Sequence, residues 1–364
     1  LADTALAAGV RREAWPAWQR FKLLYLNAEG RVVDASTTRQ MTTSEGQAHA
    51  LFLALVGNDR AAFDEILRWT QIYLAAGSLE RNLAASQWGC ADNNNWRVLD
   101  PGPASNADVW IAYTLGEAGR LWSEGWYSEV GAAVASNILR QEVVTIPGLG
   151  PTLLPGPYGF ITDDSWRLNP SHSPLPVLRA LARQTGDPVW NEVAQSSERV
   201  ILGAAPQGFV ADWVEFNDDG FAPDRESRAM GGYDAMRVYL WAGMLPASDP
   251  SRDRITAALK PMVNSVAKRG GLPMESIDTL TLEMRGDGSP GFSAALLPML
   301  ANARLSIALQ THRKRAADES LQGNQSHLSD ALALFGLGWL EQRYRFNPTG
   351  LLSVRWTPAG DRPH

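Results

Sequence analysis

The chain has 364 residues, 45% of them apolar, which is enough for one large domain or two ordinary ones with a substantial core. A formal charge of −6 without any basic run argues against nucleic acid as a partner. A single Cys, Cys90, rules out an internal disulfide and a Cys-based zinc site. The five His show no metal-binding spacing, and no apolar run reaches the ~20 residues that span a bilayer.

The chain opens on Leu1 rather than Met. Residues 1–14 read as a disordered lead-in left behind by a removed signal peptide. Helical spacing of apolar residues then dominates. SEGQAHALFLALV (44–56) is the first of several helices that are small and apolar all round. SNADVWIAYTLGEAG (105–119), NPSHSPLPVLRALAR (169–183), GYDAMRVYLWAGML (232–245), GFSAALLPMLANA (291–303) and QSHLSDALALFGLGWL (325–340) follow it. The first five begin roughly 60 residues apart, a recurrence that marks a repeat architecture. Amphipathic, charged helices such as RAAFDEILRWTQIYLA (60–75) and PVWNEVAQSSERVILG (188–203) lie between them. Apolar helices belong inside and amphipathic ones outside. Six of each, alternating, predict an all-α fold, an (α/α)6 barrel. Strand signals are sparse, and VVTIPGLGPTLLPGPYGF (143–160) reads as a small irregular β-hairpin insertion. No linker divides residues 15–356, which read as one catalytic domain, with 357–364 as a C-terminal tail.

Parallel inner helices bring their N-terminal ends, and the polar residues there, to one face. Glu45, Asn106, Asp108, Asn169, Tyr233, Asp234 and Ser293 should gather at it. Capping accounts equally well for Ser44 and Ser105. It does not account for Glu45 and Asp234 just inside helices lined with Ala and Leu.

Fourteen Trp stand in the chain, several beside acidic residues and Asn: QWGCADNNNW (87–96), NADVW (106–110), DDSW (163–166) and ADWVEF (211–216). An indole offers a flat apolar face and one N–H donor, which suits the C–H face of a sugar ring. Trp69, Trp122 and Trp339 sit in apolar helical runs and read as packing. Trp88 and Trp166, in polar loops shortly before an inner helix, read as candidates for a carbohydrate cleft.

Two opposed carboxylates in an aromatic cleft equip a site for glycoside hydrolysis: one donates a proton to the leaving oxygen, the other activates water or attacks the sugar. Glu45 opens inner helix one, where partial desolvation favours the protonated form an acid needs. Asp234 opens inner helix four, opposite it. Arg237, three positions on and so on the same face, can hold Asp234 ionised.

These residues lie in TTSEGQ (42–47), WGCADNNNW (88–96), ASNADVWIAYTLGEAGRLW (104–122), DDSWRLNPS (163–171), GYDAMRVYLWAGM (232–244) and GFSAALLP (291–298). From about Trp15 to Trp356 the chain resembles glycoside hydrolase family 8, and within it the endoglucanases of bacterial cellulose-synthesis operons. The resemblance implies inversion, with Glu45 as general acid and Asp234 as general base. Tyr233 and Arg237 flank the base, and Trp88 and Trp166 serve as platforms for glucose rings. It implies no cofactor and no metal, β-1,4-glucan chains such as cello-oligosaccharides as partner, a periplasmic or secreted location, and work beside the cellulose synthase machinery.

One position departs from the pattern. Where the family reads A-S-D-A-D, this chain reads ASNAD, so Asn106 replaces an Asp that helps hold the reacting sugar and water. An amide is neutral and donates from its NH2. Either the Asp was replaced deliberately to slow turnover, which the intact surroundings favour, or the site is naturally retuned. Asp108, two positions on, points off the face of Asn106 and is a poor substitute. The reading is an endo-β-1,4-glucanase weakened by Asn106. The alternatives are a same-family hydrolase of xylan, chitosan or mixed-linkage glucan, and a non-catalytic glucan-binding protein. A terpenoid or lyase barrel lacks the motifs its chemistry needs.

Overall fold

The computed structural model of the chain describes residues 14–269 and 271–357. The expected lead-in and tail lie outside these residues apart from Ala14 and Thr357.

The first inner helix, Ser44–Val56, begins where the Thr43 hydroxyl accepts the Gly46 N–H at 3.0 Å. Thr43, not Ser44, is therefore its cap. Every residue of this helix is buried except Glu45. Further inner helices span Ser105–Leu121, Leu175–Thr185, Tyr233–Gly243, Pro290–Ala295 continued by Leu297–Asn302, and His327–Leu340. Each packs on the next, and the last returns to the first, closing an (α/α)6 barrel. Outer helices run over Pro16–Tyr25, Arg60–Trp69, Gly125–Gln141, Val189–Gly203, Arg252–Ala258 with Lys260–Arg269, and Ser306–Glu319. Pro16–Tyr25 packs on the last inner helix: the Tyr25 hydroxyl donates to Asp330 Oδ2 at 2.6 Å and to the Gln325 carbonyl at 3.0 Å.

Three expected helices are interrupted, each for an identifiable reason. The helix expected over 60–75 loosens into a π-turn at Thr70–Leu74. Buried Thr70 turns its hydroxyl back to the Ile66 carbonyl (2.8 Å) while accepting from Gln47 Nε2 (3.0 Å). Pro170, Pro174 and Pro176 reduce the start of 169–183 to a 3₁₀ turn, Pro170–His172, with the α-helix beginning at Leu175. Pro298, which has no N–H to give, divides 291–303 in two.

The expected hairpin is present as Val143–Ile146 paired with Gly150–Leu153, shorter than 143–160. Strand is more widespread than the sequence suggested. Three antiparallel three-stranded sheets form around Ala85–Ala91 and Asn95–Pro103, Val214–Asn217 and Gly220–Pro223, and Met274–Asp278 and Met284–Asp287. Their strands lead directly into inner helices, so the sheets rim the barrel end where those N-termini gather. The segments called polar loops around Trp88 and Trp166 are strands of this rim.

Rings from four inner helices and the last hairpin fill the barrel interior. Phe52 stacks on Phe335 at 5.1 Å, Trp110 meets Trp241 at 5.2 Å, and Tyr344 meets Phe52 edge-on at 5.1 Å. Among the described residues no helix is long and apolar enough to cross a membrane.

Candidate active site

A cavity of about 600 Å³ opens at the sheet-rimmed end of the barrel. Glu45, Asn106, Asp234 and Arg237 all line it. Glu45 and Asp234 stand in the first turns of their helices, where the axial packing ends. Arg237 lies one turn further into the fourth helix, with 4% of its side chain exposed. Its Nη1 pairs with Glu45 and its Nη2 with Asp234, so one guanidinium bridges the two carboxyls. The i, i+3 spacing foretold the contact with Asp234. The reach to Glu45, 192 positions away in the chain, could only come from the fold.

Asn169 donates to the other Asp234 oxygen at 2.8 Å. Burial pushes the Asp234 carboxyl up to about 7, the Asp212 carboxylate adds to the rise, and the Asn169 hydrogen bond works against it. The rise runs against the ionised form expected beside Arg237. The same burial brings the Arg237 guanidinium down to about 9, still charged at neutral pH. Glu45 stands 3.9 Å from His49 Nε2, on a ring that burial keeps neutral with a pKa of about 3. The Tyr233 ring lies 5.1 Å from the Arg237 guanidinium carbon, and burial raises its phenol well above the ordinary value.

Asn106 is 8% exposed, and its Oδ1 is buried without a hydrogen-bond partner. Asn106→Asp should raise kcat on carboxymethylcellulose at least about tenfold, roughly 1.4 kcal/mol of barrier, with oligosaccharide affinity little changed. Steady-state rates for the two forms check this. An Asp form no faster than the Asn form would make Asn106 a tolerated residue.

Other members of the expected gathering turn away. Asp108 is fully buried beside Glu142 and accepts the Ala84 N–H at 3.4 Å, off the cleft as its spacing from Asn106 suggested. Ser293 hydrogen-bonds His312 (3.1 Å) and Arg315 (3.0 Å) of the outer layer. Ser105 meets His172 Nδ1 at 3.0 Å and makes no cap bond.

The rings lining the cavity are not the two expected as platforms. Neither Trp88 nor Trp166 lines the cavity. The Trp88 ring is crowded by the Arg31 guanidinium at 4.6 Å, Trp96 stacked at 5.2 Å and Trp69 edge-on at 5.4 Å. Trp166 is half-buried on the strand paired with Val214–Asn217. The rings that do line the cavity are Tyr158, Phe160 and Trp213. Trp213 and Phe160 lie 8° from parallel with centroids 6.0 Å apart, and the Arg167 guanidinium sits 4.1 Å from the Trp213 ring. ADWVEF had the right composition, but nothing in it separated Trp213 from Trp166. Trp213→Ala should weaken cello-oligosaccharide binding by about 1–3 kcal/mol. Trp88→Ala should instead lower the melting temperature with little change in affinity, and titration calorimetry with thermal unfolding distinguishes the two.

Residues 4–342 match the family model described as Glycosyl hydrolases family 8. An endoglucanase of Escherichia coli is 47% identical over 343 residues, 94% of this chain and 91% of that protein. One from Xanthomonas axonopodis pv. citri is 43% identical over 362 residues, 99% of this chain and 94% of its own. Among solved structures, the endo-1,4-D-glucanase of Vibrio fischeri superposes with a TM-score of 0.87 at 39% identity, covering 94% of this chain and 99% of that one. Carboxyls on opposed inner helices, an aromatic cleft and matches over nearly the whole length agree: the chain belongs to glycosyl hydrolases family 8.

Proposed function

We propose that this protein is an endo-β-1,4-glucanase that hydrolyses internal β-1,4-glucosidic bonds of cellulose with inversion at the anomeric carbon. The observation that carries the reading is the pair Glu45 and Asp234, brought from inner helices one and four into one cleft and separated by a single guanidinium. Retaining pairs stand about 5–5.5 Å apart and inverting pairs about 6.5–9.5 Å, leaving room for water. Arg237 keeps the two carboxyls out of direct contact, and inversion follows from the family to which the chain belongs.

Glu45 donates its proton to the leaving glycosidic oxygen. Asp234 takes the proton of a water attacking from the opposite face of the ring. Arg237 pairs with both carboxyls and holds them in place. As a glucan enters, the glycosidic oxygen takes the position beside Glu45 that the guanidinium holds, and Arg237 remains on Asp234. Trp213, Phe160 and Tyr158 offer the apolar ring surface on which the glucan chain rests.

Relatives of high identity carry endoglucanase names, which favours cellulose over xylan, chitosan or mixed-linkage glucan. The two retained carboxyls argue against a pure glucan-binding protein. Export to the periplasm or beyond, beside cellulose synthesis, belongs to the same reading and rests on the resemblance to the cellulose-operon branch. The test is proton NMR of a cello-oligosaccharide digest within the first turnovers. The α-anomer should appear first, and the viscosity of carboxymethylcellulose should fall faster than reducing ends accumulate. First appearance of the β-anomer would overturn inversion. No product after long incubation would leave only a binder.

A further inference from the structure

The helix carrying Asp234 starts without a cap of its own. Its N-cap residue is Gly232, which has no side chain to receive the exposed N–H groups of the first turn. The missing acceptor comes from another segment. Asp212, in the loop after the outer helix Val189–Gly203, accepts the Gly232 N–H at 2.8 Å and the Ala235 N–H at 2.7 Å on one carboxyl oxygen.

The segment around Asp212 is also fastened to the same helix and to the strand that leads into it. The Val210 N–H donates to the Tyr239 hydroxyl at 2.8 Å, and the Asp212 N–H donates to the Met230 carbonyl at 2.9 Å. The close approach depends on two glycines. A Cβ on Gly231 would lie 2.1 Å from the Val210 carbonyl oxygen, and one on Gly232 would lie 3.2 Å from Asp212 Oδ2. Next along the chain is Trp213, which lines the cleft.

We propose that Asp212 is a positioning residue for hydrolysis: it caps the Asp234 helix from outside, ties the base to the Trp213 platform, and sets a second negative charge behind the base. The proposal rests on the reading of Asp234 as general base.

Several groups face Asp234. Arg237 on its own helix contacts it and links it to Glu45 of the first inner helix. Tyr233 adjoins it, Asn169 donates to it from the rim, and Asp212 stands behind it. Asp212 is the one acid among the groups that displace the Asp234 carboxyl, and it acts upward, after burial. Burial raises Asp212 itself, while the N–H groups it caps favour its charged form. Removing its charge must lower the pH at which Asp234 gives up its proton.

Asp212→Asn preserves an oxygen for the cap and removes the charge. The acid limb of its kcat/KM profile on cellohexaose should move down by at least about half a pH unit, read as roughly threefold more relative activity on that limb. Asp212→Ala, which also loses the cap, should show the same displacement with kcat reduced on the order of tenfold. If the Asn form does not fold, Asp212→Ser retains a capping oxygen without charge and serves the same measurement. A purely structural role would lower kcat or the melting temperature and leave the limb where it is, and an unmoved limb overturns the proposal. Asp234→Asn, assayed alongside, separates the two readings. If it remains active, the base assignment falls and this proposal with it. If it is inactive while the Asp212→Asn limb is unmoved, only the role of Asp212 falls.

Discussion

Glu45→Gln should lower kcat on cellulosic substrates by about 10²–10⁴, the span of a positioned general acid. An amide has nearly the shape of the carboxyl but no proton to transfer. The leaving oxygen of a glucoside is a poor leaving group unless it is protonated as the bond breaks, so the loss should fall on kcat. KM should change little, because the cleft's aromatic rings stay in place. Substrates with an activated leaving group, such as aryl cellobiosides, need less help from an acid and should lose much less rate. An equal loss on both substrates would point to damage of the cleft rather than removal of a proton donor. Retained activity on the polymer would exclude Glu45 from the role.

Asp234→Asn should cost a comparable factor, about 10²–10⁴ in kcat, with a different signature. Here the attacking water loses its proton acceptor, so activation of the leaving group should give no relief. The intact protein should show the other face of the same chemistry in its pH dependence. A base must be ionised to act. The Asp234 carboxyl is pushed up to about 7, above its ordinary value of 3.8, so its proton is retained further up the pH scale. The kcat/KM of the free protein should therefore fall as pH drops through about 7, at most tenfold per pH unit. A profile flat down to pH 5 would mean that Asp234 is not the group being titrated.

The general plan of the barrel was legible in the sequence because its inner helices are apolar all round and recur at long intervals. Glu45 and Asp234 were legible for a related reason: a carboxylate in the first turn of an Ala- and Leu-rich helix lacks a packing role. Arg237 followed from helical spacing. The rim was not legible. Its strands are rich in Gly, Pro and Asn, and each local hairpin gains its third strand from a segment distant in the chain. Nor did the sequence show which Trp lines the cavity. Trp88, Trp166 and Trp213 all have polar neighbours. Only the packing of Arg31 and Trp96 around Trp88, and the placement of Trp213 in the cavity wall, tells them apart. Likewise Ser105 has a capping residue's composition, but its hydroxyl serves His172.

The bond from Tyr25 to Asp330 joins residues 305 positions apart, and the Trp356 indole donates to the Leu55 carbonyl at 3.1 Å across 301 positions. A stack of helical pairs has two free ends and can fray from either one, because each unit leans only on its neighbours. Here the first outer helix is pinned to the last inner one, so the array is a hoop and has no end to fray. Bonds of such long span form late, after most chain entropy has been lost, which favours slow folding and a single cooperative loss of structure. Loosening the clasp, as Tyr25→Phe would, should therefore be felt across the hoop. The register of Glu45 and Asp234 across the cleft should then loosen with it.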